Sequence, residues 1–286
     1  MPEAAVVIPH YNDVQRLERC LAALMPQVTP EVEVVVVDNG STESLDGVRA
    51  AHPALRIVTE TRKGAALARN RGVAETTALW IYFLDCDCVP ASDWLATAHR
   101  VRTNGDAVGG TITLFDETPG PRSGAEAFET VFAFDNRSYI ETKGFSATAN
   151  LLTSRAVWDR VGEFRTGLSE DLDWCHRARD AGFRLVHADD LRVSHPTRSN
   201  WPALEKKWRR LTVETWELRP RNVTARVGWA GRGLAMIPSI AAHSVKVMRS
   251  PRLHGMAERR AALGTLARIR LRRCAWMLGQ AVGLDP

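Results

Sequence analysis

Over the first hundred positions, short apolar runs that end in turn residues alternate with amphipathic stretches. Ala4 to Ile8 is unbroken apolar sequence closed by Pro9, which predicts a buried strand. Asn12 or Asp13 offers a cap for a helix in which Leu17, Leu21 and Leu24 recur at helical spacing. Val32 to Val37 is almost pure valine, as in a strand covered on both faces. Asp38 to Thr42 reads as a turn, followed by an amphipathic stretch and a short strand from Leu55 to Thr59. Gly64 to Thr77 predicts a helix, and Leu79 to Leu84 a strand that runs into Asp85-Cys86-Asp87. This alternation predicts an α/β fold with a mostly parallel central sheet, right-handed crossovers and flanking helices. Ligands of such sheets bind beyond the carboxyl ends of the strands. The polar clusters His10–Asn12, Asp38–Thr42 and Asp85–Asp87 all fall at those ends.

The pattern then changes twice. Short strands at Ala107–Leu114, Phe183–His187 and Leu191–Ser194 mix with helical pieces at Arg155–Val161 and Asp171–Ala181, and Glu117 to Gly124 reads as a mobile loop. Beyond Asn200 the chain reads as helical and basic, with Trp201, Trp208, Trp216 and Trp229. Residues 1–105, 106–200 and 201–286 therefore form three expected regions. Charge sharpens the last division. Residues 201–286 carry 17 Lys and Arg against 5 Asp and Glu, whereas residues 1–200 carry 21 against 28. A solvated basic face explains part of that asymmetry. Leu234, Ile237, Ile240 and Val247 accompany the charges in an amphipathic pattern, which points to an anionic membrane surface or an acidic partner and away from nucleic acid.

Cys20, Cys86, Cys88, Cys175 and Cys274 have no framework spacing and fit a reducing compartment. A lone Cys86-x-Cys88 reads as buried thiols more readily than as a zinc site. The sequence shows no signal-peptide pattern. The nearest candidate span, Val227 to Val247, is interrupted by Arg232, Pro238 and His243. The expected location is cytoplasmic, with peripheral attachment to the inner face of the cell membrane.

Asp85 and Asp87 are the sharpest chemical signal. Carboxylates one residue apart at a strand end face the same way and repel, and Mn²⁺ or Mg²⁺ relieves that repulsion. A solvated acidic turn fits the pair alone about as well. Glu170, Asp171 and Asp173 open a helix, where acids also serve as caps; the functional alternative is a general base. His195 closes a strand and is either a structural residue or a further metal ligand. Lys63, Arg69 and Arg71 put positive charge near the expected phosphate crevice. Neither G-x-G-x-x-G after the first strand nor G-x-x-x-x-G-K-[ST] occurs, which argues against a dinucleotide dehydrogenase and a P-loop NTPase.

Taken in order, Val-Ile-Pro-His-Tyr-Asn (7–12), Val-Val-Asp-Asn-Gly-Ser-Thr-Glu (36–43), Lys-Gly-Ala-Ala-Leu-Ala-Arg-Asn-Arg-Gly (63–72), Asp-Cys-Asp (85–87) and Glu-Asp-Leu-Asp-Trp (170–174) resemble family 2 glycosyltransferases of the GT-A fold over roughly residues 4–200. The resemblance implies a Rossmann-like GT-A domain, here with a helical basic C-terminal extension. It implies an inverting, metal-dependent transfer of a sugar from a nucleotide donor, a UDP-sugar being expected, to a saccharide or lipid-linked saccharide acceptor. By the same resemblance Tyr11 lies near the nucleobase, Asp38 at base and ribose, and Arg69 on the nucleotide, with Pro9, Asn39 and Lys63 among the nucleotide-binding positions. Asp85 contacts ribose or metal, Asp87 ligates the metal and His195 matches a late histidine ligand. Asp171 matches the catalytic base, and Glu170 orients it or the acceptor. Many members have two aspartates where this chain has Asp38-Asn39, which leaves the donor's base open. A nucleotidyltransferase and a catalytically silent sugar-nucleotide-binding module are the alternatives.

Overall fold

A computed structural model describes residues 2–220 and 222–284. In chain order the elements are β1 (Ala4–His10), α1 (Val14–Leu24), β2 (Val32–Asp38), α2 (Asp46–Ala51), β3 (Arg56–Thr59), α3 (Ala65–Ala74), β4 (Trp80–Leu84), β5 (Val89–Pro90), α4 (Trp94–Val101), β6 (Ala107–Phe115), α5 (Gly124–Phe132) and the single turn α6 (Asn136–Ser138). They continue with β7 (Asn150–Ser154), α7 (Arg155–Val161), α8 (Glu170–Asp180), β8 (Leu185–Pro196), α9 (Trp201–Glu217), α10 (Val223–Leu234), α11 (Ser239–Arg249) and α12 (Gly255–Ala281). The chain divides into two compact units. One holds residues 1–113, 134–166 and 170–195, and the other holds 114–133, 167–169 and 196–286.

The first unit contains a mixed sheet ordered β3-β2-β1-β4-β7-β6-β8-β5. The pairs β1–β2, β2–β3 and β1–β4 are parallel, and β7 runs antiparallel to both β4 and β6. Ala4 to Ile8 and Val35 to Val37 are fully buried because helices cover both faces. Alternate side chains go to opposite layers. Val6, Ile8, Val34 and Val36 pack with Leu17, Leu21 and Leu24 of α1, while Val7, Ile81 and Phe83 pack with Trp158, Phe164 and Trp174. Gly72 lets α3 lie on the sheet: a Cβ there would sit 2.4 Å from Val7 Cγ1.

β7 is not apparent from hydropathy. Its position is fixed by Asn150, which is fully buried. Asn150 Oδ1 accepts from Trp94 Nε1 at 3.0 Å, and its Nδ2 donates to Leu191 O at 2.9 Å and Thr111 O at 3.2 Å. The two short strands expected at 183–187 and 191–194 are one strand, β8. The polar break between them, Asp189 and Asp190, stays in the strand as exposed positions paired with Arg137 and Arg100.

The second unit is helical. Ala125 to Val131 of α5 are all buried, and a capping box between Ser123 and Glu126 starts the helix. Phe128 packs in a cluster with Leu204, Val247, Leu253, Leu266 and Ile269. The buried Glu129 carboxylate accepts from Lys207 Nζ at 2.7 Å, Arg198 N at 2.8 Å and Arg198 Nη1 at 3.1 Å. Burial alone would raise its pKa, but Lys207 and Arg198 hold it below the usual carboxylate range. α10 closes on α12 at Gly233, where a Cβ would lie 3.1 Å from Met277 Cβ. No helix among the described residues is long and apolar enough to cross a membrane.

Candidate active site

The order of the sheet reverses at β1, which has β2 on one side and β4 on the other. That switch point opens a crevice at the carboxyl ends of the strands. The register places His10 beside Asp38, and β4 ends immediately before Asp85. Pro9, which cannot donate to a ladder, lies past the last β1–β4 pair, Val7 with Phe83.

Hydrogen bonds join the loops after β1 and β2. Asn12 takes a positive φ of 47°, which asparagine tolerates, and its Oδ1 accepts from Thr42 N at 2.7 Å and Glu43 N at 3.3 Å. His10 is buried. Its Nε2 accepts from Asp13 N at 3.2 Å, so Nδ1 carries the proton and faces Asp38 Oδ1 and Ser41 Oγ, each at 3.4 Å. His10 thus orients Asp38, a role that the polar cluster in the sequence does not disclose.

Asn39 and Lys63 belong to a second layer of this arrangement. The Asn39 amide is buried and committed to backbone. Nδ2 donates to Glu60 O at 3.0 Å and Arg62 O at 2.7 Å, and Oδ1 accepts from Gly64 N at 2.7 Å. Gly64 has φ 139°, a conformation that favours glycine. The tethered loop carries Lys63, whose Nζ lies 5.5 Å from the centroid of the half-exposed Tyr11 ring. Arg71 turns outward and pairs with Glu75.

At the centre is Arg69, buried on α3. Nη2 donates to Asp85 Oδ1, and Nη1 donates to Glu170 Oε1 at 2.9 Å. One guanidinium therefore joins the end of β4 to the start of α8, where Glu170 lies 101 positions after Arg69. Burial would lower the Arg69 pKa, but Asp85, Glu170 and Asp171 hold it above the ordinary arginine value. Asp171 Oδ1 accepts from Leu172 N at 2.8 Å. Asp173 is turned away into an ion pair with Arg177 Nε at 2.8 Å, and so braces α8.

Asp87 faces His195, with Oδ2 3.2 Å from Nε2. Phe134 packs on the imidazole at a ring separation of 4.5 Å and holds φ 49°, a costly conformation for a bulky residue. Nothing in the local sequence signals that contact. Carboxylate and imidazole are the donors that suit Mn²⁺, so Asp87 and His195 fit such an ion chemically. Among the described residues no group of three His, Cys, Asp or Glu side chains stands ready to hold one alone. A nucleotide's phosphates and water ordinarily complete such a sphere. Burial, reinforced by Asp87 and Asp85, pushes the Cys20, Cys86 and Cys88 thiols well above their ordinary range and keeps them protonated.

Comparison with known proteins identifies the scaffold. The family model described as Glycosyl transferase family 2 matches residues 5–173. The chain belongs to glycosyltransferase family 2. It is 31% identical over 231 residues to glycosyltransferase AglE of Haloferax volcanii, covering 76% of this chain and 75% of that protein. It is 30% identical over 210 residues to the pre-mycofactocin glycosyltransferase of Mycobacterium tuberculosis, covering 69% of this chain and 43% of that one. Two solved structures share the fold. The mannosyltransferase PcManGT of Pyrobaculum calidifontis, in complex with GDP-Man and Mn²⁺, superposes with a TM-score of 0.57 at 20% identity, covering 100% of this chain and 76% of that one. S. aureus TarS 1–349 in complex with UDP-GlcNAc gives 0.56 at 16% identity, covering 99% and 93%. The family member described here therefore has the GT-A fold and is a glycosyltransferase.

Proposed function

We propose that this enzyme transfers a sugar from a nucleoside-diphosphate donor, a UDP-sugar, to a hydroxyl of a saccharide or lipid-linked saccharide acceptor, with inversion at the anomeric carbon. The observation that carries this reading is the Arg69 guanidinium between Asp85 and Glu170. It sets a donor-side carboxylate and an acceptor-side carboxylate on one cation, with Asp171 next in the chain.

Each residue then has a distinct task. Tyr11 offers a half-exposed ring face to a nucleobase, and Asp38, oriented by His10, accepts hydrogen bonds from base and ribose hydroxyl. Pro9 leaves the β1 end free of a ladder donor where the nucleotide enters. Lys63, held on its loop by Asn39, offers positive charge to the phosphates. Asp85, Asp87 and His195 would hold Mn²⁺ or Mg²⁺, which when bound neutralises charge on the departing diphosphate. Asp171 removes the acceptor's proton as its oxygen attacks from the face opposite the leaving group, so a single displacement inverts the centre. Glu170, tied to Arg69, keeps that turn of α8 in place.

The relatives support the donor class without fixing the base, since PcManGT is complexed with GDP-Man and TarS with UDP-GlcNAc. A panel of UDP- and GDP-sugars, with and without Mn²⁺, tests the reading. Release of nucleoside diphosphate with metal supports it, and inverted product configuration by NMR supports the single displacement. Release of pyrophosphate from a nucleoside triphosphate and a sugar phosphate would instead indicate a nucleotidyltransferase. Donor binding without turnover, with every acceptor class, would indicate a silent binding module.

A further inference from the structure

Ten of the twelve exposed large hydrophobic side chains among the described residues lie between Val223 and Leu284, in the helical unit. Val223, Val227, Leu234, Val245 and Met248 lie on α10 and α11, Ile237 lies in the turn between them, and the others lie on or after α12. Val223, Val227 and Leu234 fall within about 40° of one another around α10 at the helical angle per residue. Trp229 and Gly233 of the same helix are buried, with Gly233 against α12. Ile237 is exposed in the turn that follows, and Val245 and Met248 are exposed on α11, whose Val247 is buried. The exposed valines are far out: Val223 is 75% and Val227 66% accessible. Ordinary surface hydrophobics are scattered singly, whereas an ordered row marks a contact surface.

Charge identifies the occupant. From Leu218 to Ala257 the sequence contains no Asp or Glu and seven Lys or Arg. Lys246 and Arg249 are exposed on α11, with the Lys246 ammonium 5.4 Å from the centroid of the Phe132 ring. A cationic surface without apolar residues would suit nucleic acid, and an apolar one without charge would suit a second protein copy. Both together suit the interface of a bilayer with anionic headgroups.

We propose that the exposed face of α10 and α11 docks on an anionic phospholipid surface, with Val227, Leu234, Ile237 and Val245 entering the headgroup–acyl boundary and Lys246 and Arg249 meeting the headgroup phosphates. This rests on and deepens the lipid-linked branch of the proposed function, because an enzyme held at that surface shares two dimensions with a lipid-linked acceptor.

The test is co-sedimentation of the full chain with phosphatidylcholine vesicles containing or lacking phosphatidylglycerol. Wild type binds the anionic vesicles, and binding falls as salt is raised. Val227→Glu with Val245→Glu, both at exposed positions, reduces vesicle binding about tenfold or more without shifting the circular-dichroism melt. Lys246→Ala with Arg249→Ala weakens it by roughly five-fold per residue removed. Donor hydrolysis in solution stays at the wild-type rate in both double variants. Equal binding to neutral vesicles, no binding to anionic ones, or competition by soluble polyglutamate as strong as that by vesicles overturns the proposal. So does a concentration-dependent dimer in sedimentation equilibrium that Val227→Glu abolishes, since the face would then meet a second copy. Vesicle binding needs no nucleotide sugar, so it stands or falls separately from turnover.

Discussion

Asn39→Asp is isosteric but should be costly, and its cost should depend on pH in a direction set by the structure. The wild-type amide donates to two carbonyls, Glu60 O and Arg62 O, and accepts from Gly64 N. A carboxylate keeps the bond from Gly64 but turns an oxygen toward two carbonyl oxygens. Each carbonyl left without a donor costs about 1–3 kcal/mol, so the ionised variant should lose about 2–6 kcal/mol. Protonation restores one donor. The folded-state pKa of the introduced carboxyl must therefore lie above its unfolded value. For such a group the folded state is least disfavoured below the unfolded pKa, and stability falls as pH rises through the folded pKa. In urea melts the deficit of Asn39→Asp against wild type should be smallest near pH 4, where one carbonyl still lacks a donor, and should grow toward pH 8. Because the loop carries Lys63, donor KM should rise over the same range while kcat changes less. Asn39→Ala loses all three bonds with no carboxylate to ionise, and its deficit should be flat with pH. An Asn39→Asp protein as stable as wild type at pH 8, or a deficit equal for the two substitutions at every pH, would refute the view that Asn39 serves the loop.

Three further outcomes are expected. Asp171→Asn keeps the bond from Leu172 N and should bind donor normally in calorimetry, while single-turnover rates fall by about 10²–10⁴. Gly72→Ala forces a methyl to 2.4 Å from Val7 Cγ1 and should lower stability by about 1–3 kcal/mol, read from the denaturant midpoint. Lys207→Met leaves buried Glu129 with Arg198 alone and should cost about 3 kcal/mol in thermal melts; adding Glu129→Gln should recover much of it, and no recovery would mean that Lys207 acts through packing.

Local sequence determined the parallel half of this enzyme. Apolar runs at Ala4–Ile8 and Val34–Val37, each stopped by turn residues, suit strands buried on both faces, and their ends name the crevice. The Asp85-x-Asp87 pair and the acids that open α8 are legible for the same reason: their chemistry is local to a strand end or a helix start. Periodicity reports that a segment is buried, however, and not against what. α5 carries Glu126, Glu129 and Thr130 at helical spacing, which in the sequence resembles a solvated face, and only the packed structure shows that these positions are buried with the rest of the helix. β7 is hidden because a five-residue strand between small polar residues has no period of its own, and Asn150 acquires its meaning only once β6, β8 and α4 surround it. Asn39 resembles a nucleotide contact until its amide meets the backbone of a loop more than twenty residues away. Arg69 joins groups 16 and 101 residues distant, and only the packed sheet decides which carboxylates a buried guanidinium will neutralise.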